Sequence, residues 1–221
     1  MGRGNNVKKK KKQPRKGAST GGAASVAQAS SPLIFAKLAD SCPPDVRLQA
    51  CEEISQLVLE PQSLPTLLHN NLLSLLALRL EDIEWHVRCA AAATVRNLSG
   101  LGDDVCQKVV DSGLLDVCTK GMVQAHEACA VTSHSGLASK ESYVTFITHC
   151  TIILGNAAES CEAAANVVAR SETLSIVLQC ADCGQHPLTL ALAAVNCLQI
   201  LTDINLSTVS TLASIDPGES I

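Results

Sequence analysis

The residues best suited to chemistry in this chain are thiols and imidazoles. Cys180-Ala181-Asp182-Cys183-Gly184-Gln185-His186 spells a C-x-x-C-x-x-H pattern. Thiolates at that spacing can share one zinc ion, and the imidazole could supply a third ligand. A structural zinc wants four ligands, and the sequence has no second C-x-x-C. His126 and Cys129 would have to approach from a distant segment. Gly184 and Pro187 make an ordinary helix connection, so the pattern reads as packing followed by a turn, and no metal is expected. There is no glycine-rich phosphate loop and no H-E-x-x-H. A non-enzyme without a cofactor is the expectation. The chain has eleven cysteines. Its basic beginning is followed by Gly, Ala and Ser rather than an apolar stretch, so no secretory leader is expected. In a reducing compartment the thiols then serve as small apolar core residues.

The second candidate is a run of cations. Lys8, Lys9, Lys10, Lys11, Lys12, Arg15 and Lys16, with Arg3, give the first sixteen residues eight positive charges and no acid. The rest of the chain carries nine basic and twenty-one acidic side chains, a net of −12. A basic arm on an acidic body is therefore the organisation to explain. The lysine cluster reads as a nuclear import signal. Nonspecific phosphate contact and a solubilising tail are the alternatives. Residues 1–30 have too few apolar side chains to bury, and are expected to be a disordered arm and linker. The only aromatics are Phe35, Trp85, Tyr143 and Phe146. That leaves no stacking platform for bases, so direct RNA binding is not expected.

Behind these candidates lie helices. Apolar residues make up 47% of the chain, mostly Leu, Ala, Val and Cys, and Leu and Ala favour helices. A first helix carries Leu33, Ile34, Phe35 and Leu38 and ends before Pro43-Pro44. A second has apolar residues at Val46, Ala50, Ile54 and Leu57, one face of a helix. Residues 67–80 are apolar almost all round and read as one sandwiched helix. Two strongly apolar helices, 188–201 and 209–215, close the chain. The uncharged stretch 188–202 has 15 residues. A membrane span needs about 20, so no membrane association is expected.

The helices repeat. At an offset of 41, Val46-Arg47 falls on Val87-Arg88, Ala50 on Ala91, Ile54 on Val95 and Leu57 on Leu98. At an offset of 59, Asn97 falls on Asn156, Val109 on Val168 and Leu115 on Leu174. A weaker overlay at 43 places Gln199 on Asn156. Periods near 42 belong to HEAT and armadillo units. The surplus in the 59 matches residues 124–140, which read as an inserted loop. An all-α solenoid is expected over residues 31–221, about four armadillo/HEAT repeats, preceded by the basic arm.

The local wording narrows this further. Asp45-Val46-Arg47 and Val87-Arg88-Cys89-Ala90 follow the HEAT habit. The segment VRNLSGLGDDVCQKVVDSGLLDV (95–117) follows the armadillo habit, and VNCLQILTDINLS (195–207) closes the pattern. The mixture resembles the HEAT repeat-containing protein three, or symportin, family across residues 30–212. Members are longer, so the chain reads as a fragment or short isoform. The resemblance implies a non-enzymatic carrier that binds the 5S-RNA-associated large-subunit ribosomal proteins and supports their nuclear import and ribosome assembly. It implies basic ribosomal proteins and a nuclear import receptor as partners, and shuttling between cytoplasm and nucleus. It also implies a groove lined by third helices. There Asn97, Asn156 and Gln199 would meet the main chain of an extended segment, or else bond only their own loops. Two other readings stand beside it, an importin-alpha-like adaptor and a generic armadillo scaffold. The adaptor would want a Trp four residues before each Asn, where this chain has Ala93 and Ile152.

Overall fold

The computed structural model describes residues 33–131, 137–169 and 171–204, and among these there is no strand. After helical residues at 33–36, the chain forms α1 (Pro44–Leu57), α2 (Leu64–His69), α3 (Leu72–Leu80), α4 (Trp85–Ser99) and α5 (Asp103–Asp111). These are followed by α6 (Leu114–Val131), α7 (Leu137–Ser160), α8 (Glu162–Val168), α9 (Ser171–Cys180) and α10 (Leu188–Ile204). The order falls into threes. A short helix, a middle one and a long one recur as α2–α3–α4, α5–α6–α7 and α8–α9–α10, with α1 as the long helix of a leading unit. The long helices pack side by side in chain order, α1 on α4, α4 on α7 and α7 on α10. The fold is an all-α solenoid.

Small side chains allow that stacking. Ala50, Cys51 and Ile54 of α1 face Ala91, Thr94, Val95 and Leu98 of α4, all fully buried. Thr94 Oγ1 donates across the seam to the Cys51 carbonyl at 3.2 Å, and to Ala90 of its own helix at 3.0 Å. A Cβ on Gly155 of α7 would sit 3.7 Å from the Cys197 backbone of α10, so these helices also pass close together. Gly121 has a stricter role. A Cβ there would lie 2.8 Å from the ring of Phe146, the largest fully buried side chain. α6 and α7 can approach as they do only because position 121 has no side chain.

Several local expectations are corrected. Residues 67–80 are not one helix. The chain breaks at Asn71, which takes the left-handed φ of 59°, a conformation Asn tolerates better than most residues. α2 and α3 therefore meet at a corner. In the described part of the first helix, residues 33–36 are helical, and bonds such as Leu38 N–H to Phe35 C=O carry the chain on at i, i−3 spacing. The expected loop at 124–140 is mostly helical. Residues 124–131 extend α6 and 137–140 open α7, while 132–136 lie outside the described residues. The surplus thus lengthens two helices that pack on one another. The basic arm and the expected helix at 209–215 also lie outside the described residues.

One buried carboxylate ties down the first units. Asp82, in the corner between α3 and α4, is 1% exposed. It accepts two bonds of 2.8 Å from the Arg47 guanidinium, a third of 2.6 Å from Arg79, and a fourth from the Glu84 backbone N–H. Arg88 in turn reaches the Asp82 carbonyl, and Arg79 also reaches Asp40. The bidentate fork is the strong form of this contact. Burial by itself pushes the Asp82 carboxyl up, but the bonds from Arg47 and Glu84 and the two guanidinium charges outweigh it and hold it below the ordinary carboxylate range.

A depressed acid stabilises the fold above its unfolded pKa, about 4, and that support is lost as the pH falls through the lower folded value. Asp82→Ala should therefore cost about 3–5 kcal/mol at neutral pH, since two buried cations lose their partner. It should also flatten the stability curve below pH ~4. Urea unfolding of both chains from pH 7 down to pH 2 measures this. A loss under about 0.5 kcal/mol, or parallel acid limbs, would refute the tie.

Candidate functional site

The stacked long helices leave a groove of about 540 Å³ along one face. α1 contributes Leu48, Glu52, Ser55 and Gln56, α4 contributes His86, Cys89, Ala90 and Ala93, and α7 contributes Glu141, Ser142, Thr145 and His149. Each set follows helical spacing, so one continuous face of each helix forms the wall. The floor is small and apolar, as expected where Ala90 and Ala93 sit on the middle helix. Glu52 and Glu141 are exposed and stand on the two outer helices. Among the described residues no Lys or Arg lines the groove, and Arg96 reaches its wall only through His149.

A polar seam runs along the wall. Ser142 Oγ lies 3.4 Å from His86 Nε2. Arg96 Nη1 donates to His149 Nδ1 at 3.2 Å, which fixes His149 as the neutral ring with its proton on Nε2. Burial first, and the Arg96 charge second, lower the His149 pKa from 6.5 to about 4. The described lining therefore holds two carboxylates and, on its far wall, a neutral His149 ring. Trp85 and His86 separate in function. Trp85 turns into the packing, edge-on to Tyr143 at 4.7 Å and Phe146 at 5.6 Å, with Arg88 over its ring at 4.4 Å. His86 faces the groove.

The asparagines anticipated from the repeat do something else in this structure. Asn97 Nδ2 donates to the Ser55 carbonyl and hydroxyl at 3.2 and 3.0 Å, and its Oδ1 accepts from Arg96 at 3.1 Å. Asn156 Nδ2 donates to Ser99 Oγ at 3.0 Å. Both side chains fasten one long helix to the preceding one, neither bonding their own loops nor lining the groove. Gln199 is exposed on α10. Lys8–Lys12, Arg15 and Lys16 lie outside the described residues. Cys180 is fully buried, and burial pushes its thiol up to about 12, whereas Cys183 is exposed. A thiol held that far from ionisation is a poor metal ligand. Among the described residues, no cluster of three or more His, Cys, Asp or Glu is placed to hold a metal.

Glu52, Glu141 and His149 were not singled out from sequence. The overlay contained a signal for their face. Leu48 and Glu52 fall on Cys89 and Ala93 at the offset of 41, and His86 and Ala90 fall on Thr145 and His149 at 59.

No protein-family model and no curated protein sequence matches the chain. Solved structures do. One set is computationally designed armadillo repeat proteins for modular peptide recognition. It is similar over 82% of this chain and 68% of its own, at 17% identity and a TM-score of 0.65. A designed armadillo repeat protein in complex with the peptide (KR)4 is similar over the same shares, at 16% identity and a TM-score of 0.64. At such identities the likeness concerns fold alone. It agrees with the three-helix units above, and the chain has an armadillo-like repeat fold. Among the described residues no helix is long and apolar enough to cross a membrane.

The lowered His149 pKa has a sign. Between about pH 6.5 and 4 the unfolded chain takes a proton that the folded ring refuses, so this residue costs stability as the pH falls through that window. NMR titration should find His149 neutral until about pH 4. Arg96→Gln should raise its midpoint by removing the nearby charge. A native midpoint near 6.5 would mean that the ring is not held in the wall as described.

Proposed function

We propose that this chain is a non-enzymatic carrier whose groove holds a basic, extended segment of a partner protein. The observation that carries this is the groove itself: small and apolar at its floor, edged by Glu52 and Glu141, and lined by no Lys or Arg among the described residues. The body's net charge of −12 extends the same preference over longer range. Complementary charge speeds encounter and disfavours wrong partners more than it adds affinity. The solved complex of a designed armadillo protein with a peptide of alternating Lys and Arg is consistent with such a ligand. The symportin resemblance gives the partner a finer identity, the basic large-subunit ribosomal proteins that bind 5S RNA. On this reading the lysine cluster 8–12, with Arg15 and Lys16, is a nuclear import signal read by an import receptor, and the carrier shuttles between cytoplasm and nucleus.

Immobilised chain should capture purified 5S-associated ribosomal proteins at physiological salt, and Glu52→Gln with Glu141→Gln should weaken capture about tenfold. Capture unaffected by the double variant would remove the groove from the account, and no capture at all would refute the carrier reading. Import is separable from cargo. A fusion too large to diffuse through the nuclear pore should accumulate in nuclei, and should stay cytoplasmic when Lys8–Lys12 are replaced by Ala. Equal nuclear entry of the two fusions would refute the signal.

A further inference from the structure

The chain also carries a strongly basic segment of its own. Residues 8–16, KKKKKQPRK, carry seven positive charges and no acid, whereas the described lining of the groove carries two carboxylates and no Lys or Arg. We propose that this basic arm docks in cis along the α1–α4–α7 groove and competes there with any basic partner. The proposal rests on the reading of the groove as a site for basic segments, and goes beyond it by naming an occupant and a consequence.

Geometry permits the contact. The described chain begins at Leu33, and the turn that follows is fastened to α1. Ile34 and Leu38 are buried, and Lys37 Nζ lies 3.4 Å from Glu53, the neighbour of Glu52. The tether therefore starts against α1, the helix that forms the groove's first wall. Sixteen residues, 17–32, separate it from the arm. They are mostly Gly, Ala, Ser and Gln, a flexible composition, for which the typical end-to-end distance is about 20–24 Å. Stacked helices lie 8–10 Å apart, so α1 to α7 is roughly 16–20 Å. An extended nine-residue arm spans about 26 Å, enough for one lysine to meet Glu52 while another meets Glu141. Alternate side chains of an extended strand face the same way, so an unbroken lysine run offers a cation to the wall in either register. Gln56 lines the same groove and supplies a further polar partner.

The tether supplies the affinity that two exposed ion pairs would not. A short flexible linker presents its cargo at an effective concentration of about 1 mM. An arm that binds with an intrinsic Kd near 100 µM would then occlude the groove about tenfold. The contact is electrostatic and exposed, so it weakens with salt. It couples the arm's two possible engagements. A docked arm is withheld from other receptors, and a basic partner that takes the groove releases it.

The test uses a fluorescent synthetic peptide KKKKKQPRK as probe and full-length chains throughout. A chain with Lys8, Lys9, Lys10, Lys11, Lys12, Arg15 and Lys16 each changed to Gln should bind the probe about tenfold more tightly than the native chain at low salt. The difference should shrink at 0.5 M salt. Adding Glu52→Gln and Glu141→Gln to the neutral-arm chain should remove most probe binding. In the native chain, the same two groove substitutions should speed tryptic cleavage within residues 8–16. Equal probe affinity of the native and neutral-arm chains overturns the proposal, as does an absence of probe binding by both, or an arm cleaved at one rate whatever the groove carries. The outcome is independent of the carrier reading. Ribosomal-protein capture with no arm effect would refute only the docking, and arm docking with no capture would refute only the ribosomal partner.

Discussion

The close lateral packing of α1, α4, α7 and α10 is the constraint on which the remaining structure depends. These helices meet through Ala, Cys, Thr and Gly interleaved with larger residues such as Ile54, Val95 and Leu98. Such contacts bring backbones close, and a helix held on both sides has little freedom to rotate. Rotation of α4 by even one residue's angle would take Ala90 and Ala93 off the groove floor and Leu98 out of the core. The groove is thus a by-product of core packing, and its geometry is as rigid as the core.

Polar seams set the register along that stack. Thr94 to Cys51, Asn97 to Ser55 and Asn156 to Ser99 are short side-chain bonds between successive long helices. Each leaves a half-buried or buried polar group satisfied only when the helices are not slipped lengthwise. Asp82 plays the corresponding part at the corner, where it holds α1, α3 and α4 through two arginines. Apolar burial supplies most of the stabilisation and is tolerant of sliding. The hydrogen bonds are fewer and intolerant of it, so the two kinds of contact divide the work.

Charge is distributed by the same division. Buried cations are neutralised on site by Asp82, and the surplus acid of the body is left on the surface, Glu52 and Glu141 included. The seven cations of residues 8–16 have no comparable partner in their own stretch of sequence. A single chain therefore carries a groove edged by two carboxylates and a strongly basic segment in its sequence.

The sequence by itself determined the class of fold. Periodic apolar positions such as Ala50, Ile54, Ala91, Val95 and Leu98 mark buried faces, and their recurrence at 41 residues marks a stack of like units. Burial is a local property of each helix face, so it is written in the spacing. The split of residues 67–80 at Asn71 was not legible, because an apolar run has the same appearance whether straight or broken. Nor was the helical character of 124–131, where length alone suggested a loop. The groove was decided only by the tertiary structure. Glu52, Glu141 and His149 lie far apart in sequence and break no local rule, and nothing about each alone distinguishes it from other surface or half-buried positions. Asn97 and Asn156 were conspicuous in the repeat, yet the neighbouring helix claims their hydrogen bonds. A site assembled from three helices exists only once their mutual rotation is fixed, and that rotation comes from packing between units.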